Sequence, residues 1–158
     1  MTDTMANSDM KSVGTYVIDK GNELGRGTFG AVFMGEETES RVKVVGKKLF
    51  LDALPDKQHA VLEVAIMKLG ADHNNIVKIL FDQEEDGEFW IVMEFCDKGN
   101  LSQYARKHPM DLSHKADIVH QCSDALVYLL NLKPERVIHR DLKPQNILLS
   151  SKPSGAGV

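Results

Sequence analysis

The stretch "VIHRDLKPQNILL", residues 137–149, places a histidine, two cations, an aspartate, a proline and an asparagine between two short apolar runs. The apolar runs read as anchors and the polar residues as a loop held between them. Each polar residue can be read by role. Asp141 can orient an attacking hydroxyl or accept its proton. Lys143 can meet a transferred phosphoryl group, and Asn146 can hold a metal through its side-chain oxygen. His139 and Arg140 can fix the loop from behind. Such a loop suits phosphoryl transfer, which is nearly all positioning and charge stabilisation.

The rest of the chain must support that loop. Its 158 residues suffice for one domain with a sizeable core. Nineteen basic against 23 acidic residues give a net charge of −4, so no general basic footprint for nucleic acid is present. Apolar runs such as "FWIVM" and "ALVYLL" are too short to span a bilayer. The start, "MTDTMANSDMKSVGT", is polar and has no apolar core, so no signal peptide is expected. Cys96 and Cys122 make no metal spacing and read as reduced thiols of a cytoplasmic or nuclear protein.

Residues 1–14 show no period and read as a disordered lead-in. Strand-like pieces follow: "TYVIDKGNELG", "GAVFMGE" and "RVKVVGKKLF", the last two joined by the turn "EETES". A helix is expected from Pro55 through "KQHAVLEVAIMKLG", with Gly70 as its stop. The strands "NIVKILFD" and "EFWIVMEF" follow, joined through Asp86-Gly87, a hairpin signal. Asn100 is a candidate cap for a helix to about Lys107, and Asp111 or Ser113 for a longer one. In the longer helix Ile118, Val119, Cys122, Ala125, Leu126, Leu129 and Leu130 form a stripe at helical spacing. A short strand-loop-strand and a Gly/Ser/Pro-rich tail end the chain. The plan is α+β, a small antiparallel sheet with one helix leading into a helical region.

"LGRGTFGAV" carries Gly25, Gly27 and Gly30 at G-x-G-x-x-G spacing. A strand-like run follows, not a helix, so the glycines belong to a hairpin tip. They can close backbone N–H groups over phosphates, or they can simply make the hairpin flexible. Val32 would then cover a flat base. Lys47 lies on the next strand and can reach phosphate oxygens. Glu63, amid apolar helix residues, is costly unless paired; a pair with Lys47 explains both, although two solvated charges remain the alternative. Side chains alternate along a strand, so Lys48 is expected to point the other way, to solvent.

With these residues in view, the chain resembles the N-terminal part of a eukaryotic protein kinase domain. "HRDLKPQN" matches that family's catalytic loop, and "LGRGTFGAV", "VVGK" and the glutamate of "LEVAIMKL" follow its order and spacing. The resemblance implies a bilobal protein-kinase-like fold, with residues 15–95 as the sheet lobe and 96–158 as hinge and start of the helical lobe. It implies a serine/threonine kinase that moves the γ-phosphate of ATP, with Mg2+, to hydroxyls of a protein substrate. Leu24, Gly25, Gly27, Gly30, Val32 and Val45 would surround the nucleotide, with Met93 as gatekeeper and Glu94 to Cys96 as hinge. Lys47 would contact the α- and β-phosphates and Glu63 would pair with it. Asp141 would be the catalytic base and Asn146 a magnesium ligand. Lys143 is typical of serine/threonine kinases. Arg140 implies control through activation-loop phosphorylation. "HNNIVKI" and "VMEFCDKGNL" resemble the inhibitor-of-κB-kinase relatives, and "IHRDLKPQNILLS" the autophagy-initiating kinases.

Two departures stand out. The family's V-A-I-K strand has Val45 and Gly46 at its two central positions. Val45 is expected to crowd the adenine side, and Gly46 to weaken the strand by roughly 0.5–1 kcal/mol relative to Ala. No Asp-Phe-Gly follows the loop, so the second magnesium ligand, the activation loop and the later helices of the family are missing. The expectation is therefore a fragment of an active kinase, with little activity by itself. Its apolar stripe would be left partly exposed. The alternative is an inactive truncated isoform that acts as an interaction or dominant-negative module.

Overall fold

The computed structural model describes residues 9–28, 30–53, 64–65, 67–133 and 136–151. The chain divides into two compact units, Met1–Ala65 with Ile79–Phe95, and Ile66–Lys78 with Cys96–Val158. Among the described residues no helix is long and apolar enough to cross a membrane.

The first unit is a six-stranded antiparallel sheet. Its strands are β1 (Met10–Val13), β2 (Tyr16–Gly27), β3 (Gly30–Glu37), β4 (Lys43–Leu49), β5 (Ile79–Glu85) and β6 (Glu88–Glu94). Their spatial order is β1-β2-β3-β4-β6-β5. One strand corrects the sequence reading. Met10–Val13, inside the expected disordered lead-in, pairs in register with Val13 opposite Tyr16 and Met10 opposite Asp19. Four residues are too few to show a period, and pairing with the adjacent β2 through a tight turn at Gly14, φ +58°, makes them a strand. The sheet curls until its outer strands meet. Lys11 Nζ lies 3.0 Å from Glu85 Oε2, the Gly14 N–H donates to Gln83 Oε1, and the Tyr16 and Phe81 rings lie 6.3 Å apart.

Period-2 alternation gives the sheet two apolar faces. One carries the larger core of Val13, Tyr16, Ile18, Ala31, Phe33, Val44, Trp90 and Val92. The other carries Leu49, Phe89 and Ile91, joined by Val64. Residues 64, 65 and 67–69 are helical and Gly70 follows in a turn. The expected helix otherwise lies outside the described residues. At Gly70 a Cβ would stand 2.8 Å from Ile76 Cγ2, so the stop is also a close approach. The Asp86-Gly87 signal yields a two-residue loop between Glu85 and Glu88. Both residues take positive φ, 53° and 76°, as a type I′ turn requires.

The second unit is helical. α1 (Leu101–Lys107) opens with a full capping box, Asn100 accepting from the Gln103 N–H while Gln103 reaches back to the Asn100 backbone. α2 (Leu112–Asn131) is capped by Asp111, which accepts from the His114 N–H. Of the expected stripe on α2, Ala125 and Leu129 are buried, whereas Val119 and Leu130 are exposed. Residues 137–149 correct the expected strand-loop-strand. They form no ladder, only an isolated bridge between Leu148 and Asn100 and a single 3-10 turn at Pro144–Asn146.

Candidate functional site

The sheet unit aligns the first group of candidate residues by register alone. Gly25 pairs with Val32, Val32 with Lys47 and Lys47 with Ile91. Directly opposed residues share a face, so one row across four strands runs from the glycine segment to the lysine. The next row holds Met34, Val45 and Met93. Val32, Val45, Lys47 and Met93 therefore stand on one face of the sheet.

The three glycines differ in their reason for being glycine. Gly27 faces Gly30 at the end of the β2–β3 hairpin. At Gly30 a Cβ would lie 2.4 Å from the Lys48 carbonyl oxygen, so close packing of β4 demands glycine there. At Gly25 and Gly27 a Cβ meets nothing within 4 Å among the described residues. Among the described residues, packing does not require glycine at those two positions. Leu24, in the same strand, is 44% exposed.

Lys48 is not the solvated lysine expected. It lies on the opposite face, where it pairs with Glu88 and sits 5.9 Å from the Trp90 ring centroid. The Trp90 indole N–H donates to Glu88 Oε2 at 2.9 Å. Lys48, then Trp90, hold the Glu88 carboxyl below the usual glutamate range. Sequence alternation gave the direction of Lys48 but not its partner, which comes from another strand 40 residues on. Glu63 lies outside the described residues. The adjacent Val64 is buried against Leu49, Phe89 and Ile91, on the face that bears Lys47. Glu94 pairs with Val44 and so belongs to the other face of β6, while Cys96 is half-buried in the second unit.

In that second unit, residues 139–146 fold around one carboxylate. Asp141 Oδ2 accepts from Lys143 Nζ at 2.9 Å and from Asn146 Nδ2 at 2.8 Å. Asn146 Nδ2 also donates to the Asp141 carbonyl oxygen at 2.8 Å. Lys143, then Asn146, hold the exposed Asp141 carboxyl below the ordinary aspartate range. The Asp141 N–H donates to the His139 carbonyl at 2.9 Å and approaches His139 Nδ1 at 3.3 Å. Between them Arg140 takes φ +62°, a conformation few non-glycine residues adopt.

The apolar flanks of the loop are only partly covered: Val137, Ile147 and Leu149 are half-buried, whereas Ile138, Leu142 and Leu148 are exposed. Backbone bonds add to the anchoring. The Val137 N–H donates to the Leu129 carbonyl at the end of α2. The Leu101 N–H donates to the Ile147 carbonyl, the Lys98 N–H to that of Leu149, and the Leu149 N–H to that of Gly99. Asp97 accepts from the Ser151 backbone N–H at 2.8 Å and from its hydroxyl. Sequence reading missed this clamp, because nothing local marks two residues 54 apart as partners.

The donor set around Asn146 bears on a metal. Its amide nitrogen is engaged by two oxygens of Asp141, which leaves the amide oxygen as the group to offer a hard cation. Among the described residues no three His, Cys, Asp or Glu side chains gather as a metal cluster.

Comparison with known proteins adds to this geometry. The family profile described as "Protein kinase domain" matches residues 18–155. The chain is 32% identical over 130 residues, 82% of its length, to the serine/threonine-protein kinase STE20 of Yarrowia lipolytica. It is 33% identical over 150 residues, 89% of its length, to the serine/threonine-protein kinase atg1 of Dictyostelium discoideum. Over 153 residues, 96% of its length, it is 29% identical to ATG1c of Arabidopsis thaliana. The aligned regions are 11%, 22% and 20% of those relatives' own lengths, respectively.

Proposed function

The chain belongs to the protein kinase domain family, and from that premise we propose that its residues serve a protein serine/threonine kinase. The sheet unit binds ATP, and the loop at 139–146 directs the γ-phosphate to a protein hydroxyl. The observation that carries this reading is the carboxylate of Asp141 held jointly by Lys143 and Asn146. A carboxyl held in its ionised form is a weak base but a good acceptor. Asp141 therefore orients the substrate hydroxyl and takes its proton late, as the bond to phosphorus forms. Lys143 is about half exposed, so it can leave Asp141 for the transferred phosphoryl group, where its charge is needed in the transition state.

On the sheet, Lys47 contacts the α- and β-phosphates and Glu63 holds its stem. Gly25 and Gly27 keep their Cα atoms bare where the β2–β3 tip closes over phosphates. Leu24, Val32, Val45 and Met93 line the adenine, with Glu94 to Cys96 as the backbone that bonds it. Asn146 would hold Mg2+ through its amide oxygen, and magnesium supplies charge neutralisation of the phosphates. The family's second ligand, the aspartate of Asp-Phe-Gly, does not occur in these 158 residues.

Titration of the 158-residue chain with magnesium-ATP by calorimetry tests the nucleotide half. We expect saturable binding, weakened about tenfold or more in Lys47→Ala. No binding, or equal binding by the variant, overturns the reading. The transfer half is tested on the endogenous product, with phosphate transfer from ATP to serine and threonine peptides and its loss in Asp141→Asn. The exposed α2 residues Leu112, Val119 and Val127 favour a second reading, an interaction module. An intact mass of the endogenous protein well above 17.6 kDa supports the enzyme, and a mass near that value supports the module.

A further inference from the structure

Gly46 departs from the family's strand pattern, and the structure gives it a partner. A Cβ at Gly46 would lie 2.7, 2.8 and 2.9 Å from Ile18 Cδ1, Cγ1 and Cγ2, and these are its three nearest neighbours. On β3, a Cβ at Gly35 would lie 2.5 Å from the same Cδ1. Ile18 belongs to β2 and is fully buried. It stands opposite Gly35 and reaches over β3 to β4. One isoleucine thus fills the space that side chains at 35 and 46 would take. The glycine expected to slacken β4 is instead covered by a stiff, β-branched side chain.

We propose that Ile18 is a positioning residue for Lys47. It occupies the place of a Cβ at Gly46, the residue immediately before Lys47, on the face opposite the lysine. Glycine has more backbone freedom than any other residue; Gly46 is paired with Phe33 and Val92 in the ladder, but it brings no side chain of its own to pack on that face. Ile18 supplies that packing from two strands away. It fixes how far the backbone of β4 rises toward the face shared by Val32, Val45 and Lys47. The inference rests on reading Lys47 as a phosphate ligand.

The test uses the 158-residue chain with Ile18→Ala, Ile18→Val, Gly46→Ala, the double variant Ile18→Ala/Gly46→Ala, and Lys47→Ala. Val13→Ala is a control, since Val13 is buried in the same core but lies on β1. Thermal midpoints and the Kd for magnesium-ATP are measured, the latter at a temperature where each variant is folded. Gly46→Ala should lower the midpoint alone, and much less once Ile18 is trimmed. Ile18→Ala should weaken nucleotide binding about tenfold, and Ile18→Val, which removes only Cδ1, by less. Val13→Ala should lower the midpoint and leave the Kd within about twofold, as for a core residue without a positioning role. If Ile18→Ala does not fold, Ile18→Val against Val13→Ala decides the matter. An unchanged Kd in the Ile18 variants, beside a weakened one in Lys47→Ala, overturns the positioning role alone. An unchanged Kd in Lys47→Ala overturns the phosphate-ligand reading and this inference with it. Additive midpoint losses in the double variant overturn the interlock.

Discussion

In the sheet unit Ile18, Trp90, Ile91 and Val92 are at most 1% exposed, whereas on α2 the best-buried apolar side chains, Ala125 and Leu129, keep 8% each. The first unit is held by two apolar cores. The second has more polar ties: Asn100 and Asp111 cap the helices, the Leu101, Lys98 and Leu149 N–H groups hold the loop, and His73 meets Asp124 and the Tyr128 ring on α2. The difference fits the work proposed for each. A sheet that sets a lysine by register needs a stiff interior, and a loop whose lysine is proposed to exchange partners needs fixed ends and an open middle.

The contrast can be broken most sharply at Trp90. Its ring lies 5.9 Å from that of Phe33, and Trp90→Ala should cost about 3–5 kcal/mol in chemical unfolding. Asn100→Ala removes the capping box and should cost about 1 kcal/mol. It should also speed amide exchange at Leu101 and Leu149, because the cap begins the segment that pairs with the loop. Val127→Ser, on the exposed side of α2, should change stability by no more than about 0.5 kcal/mol. A large loss there would show that α2 is held by packing after all. The mildest perturbation is pH. The Asp141 carboxyl is held below its ordinary value, first by Lys143. Its network therefore contributes fully above the unfolded-state pKa and is lost as pH falls through the lower folded value. Carboxyl NMR shifts should place the Asp141 midpoint below that of a free aspartate. Lys143→Ala should raise it, and an unmoved midpoint would break the assignment.

Local chemistry was legible in the sequence wherever neighbours along the chain decide the outcome. Asp86-Gly87 specified its turn, Asn100 and Asp111 their helices, and the glycine spacing its hairpin. Lys143 and Asn146 lie within five residues of Asp141, and their side chains meet its carboxylate. Met10–Val13 is a strand because β2 receives it across a tight turn, but four residues show no period by themselves. The rest depends on distant partners: Lys48 is paired because Glu88 arrives on β6, and Gly46 is tolerated because Ile18 covers it. The apolar flanks of the loop divide: Val137, Ile147 and Leu149 are half-buried while Ile138 and Leu148 are exposed, and backbone bonds to residues 98–101 and 129 add to the anchoring.

The meeting of β1 with β5 has a consequence for the protein's behaviour in concentrated solution. An open sheet offers two rows of unpaired backbone groups to any passing strand, and such edges seed aggregates. Here the outermost strands turn toward each other and are tied by Lys11 to Glu85 and by the Gly14 N–H to Gln83. Each edge shields the other, and the charged pair discourages a neutral intruder. β1 then acts as a guard against self-association, and a chain begun after it would expose Tyr16–Asp19 of β2 as an unpaired edge.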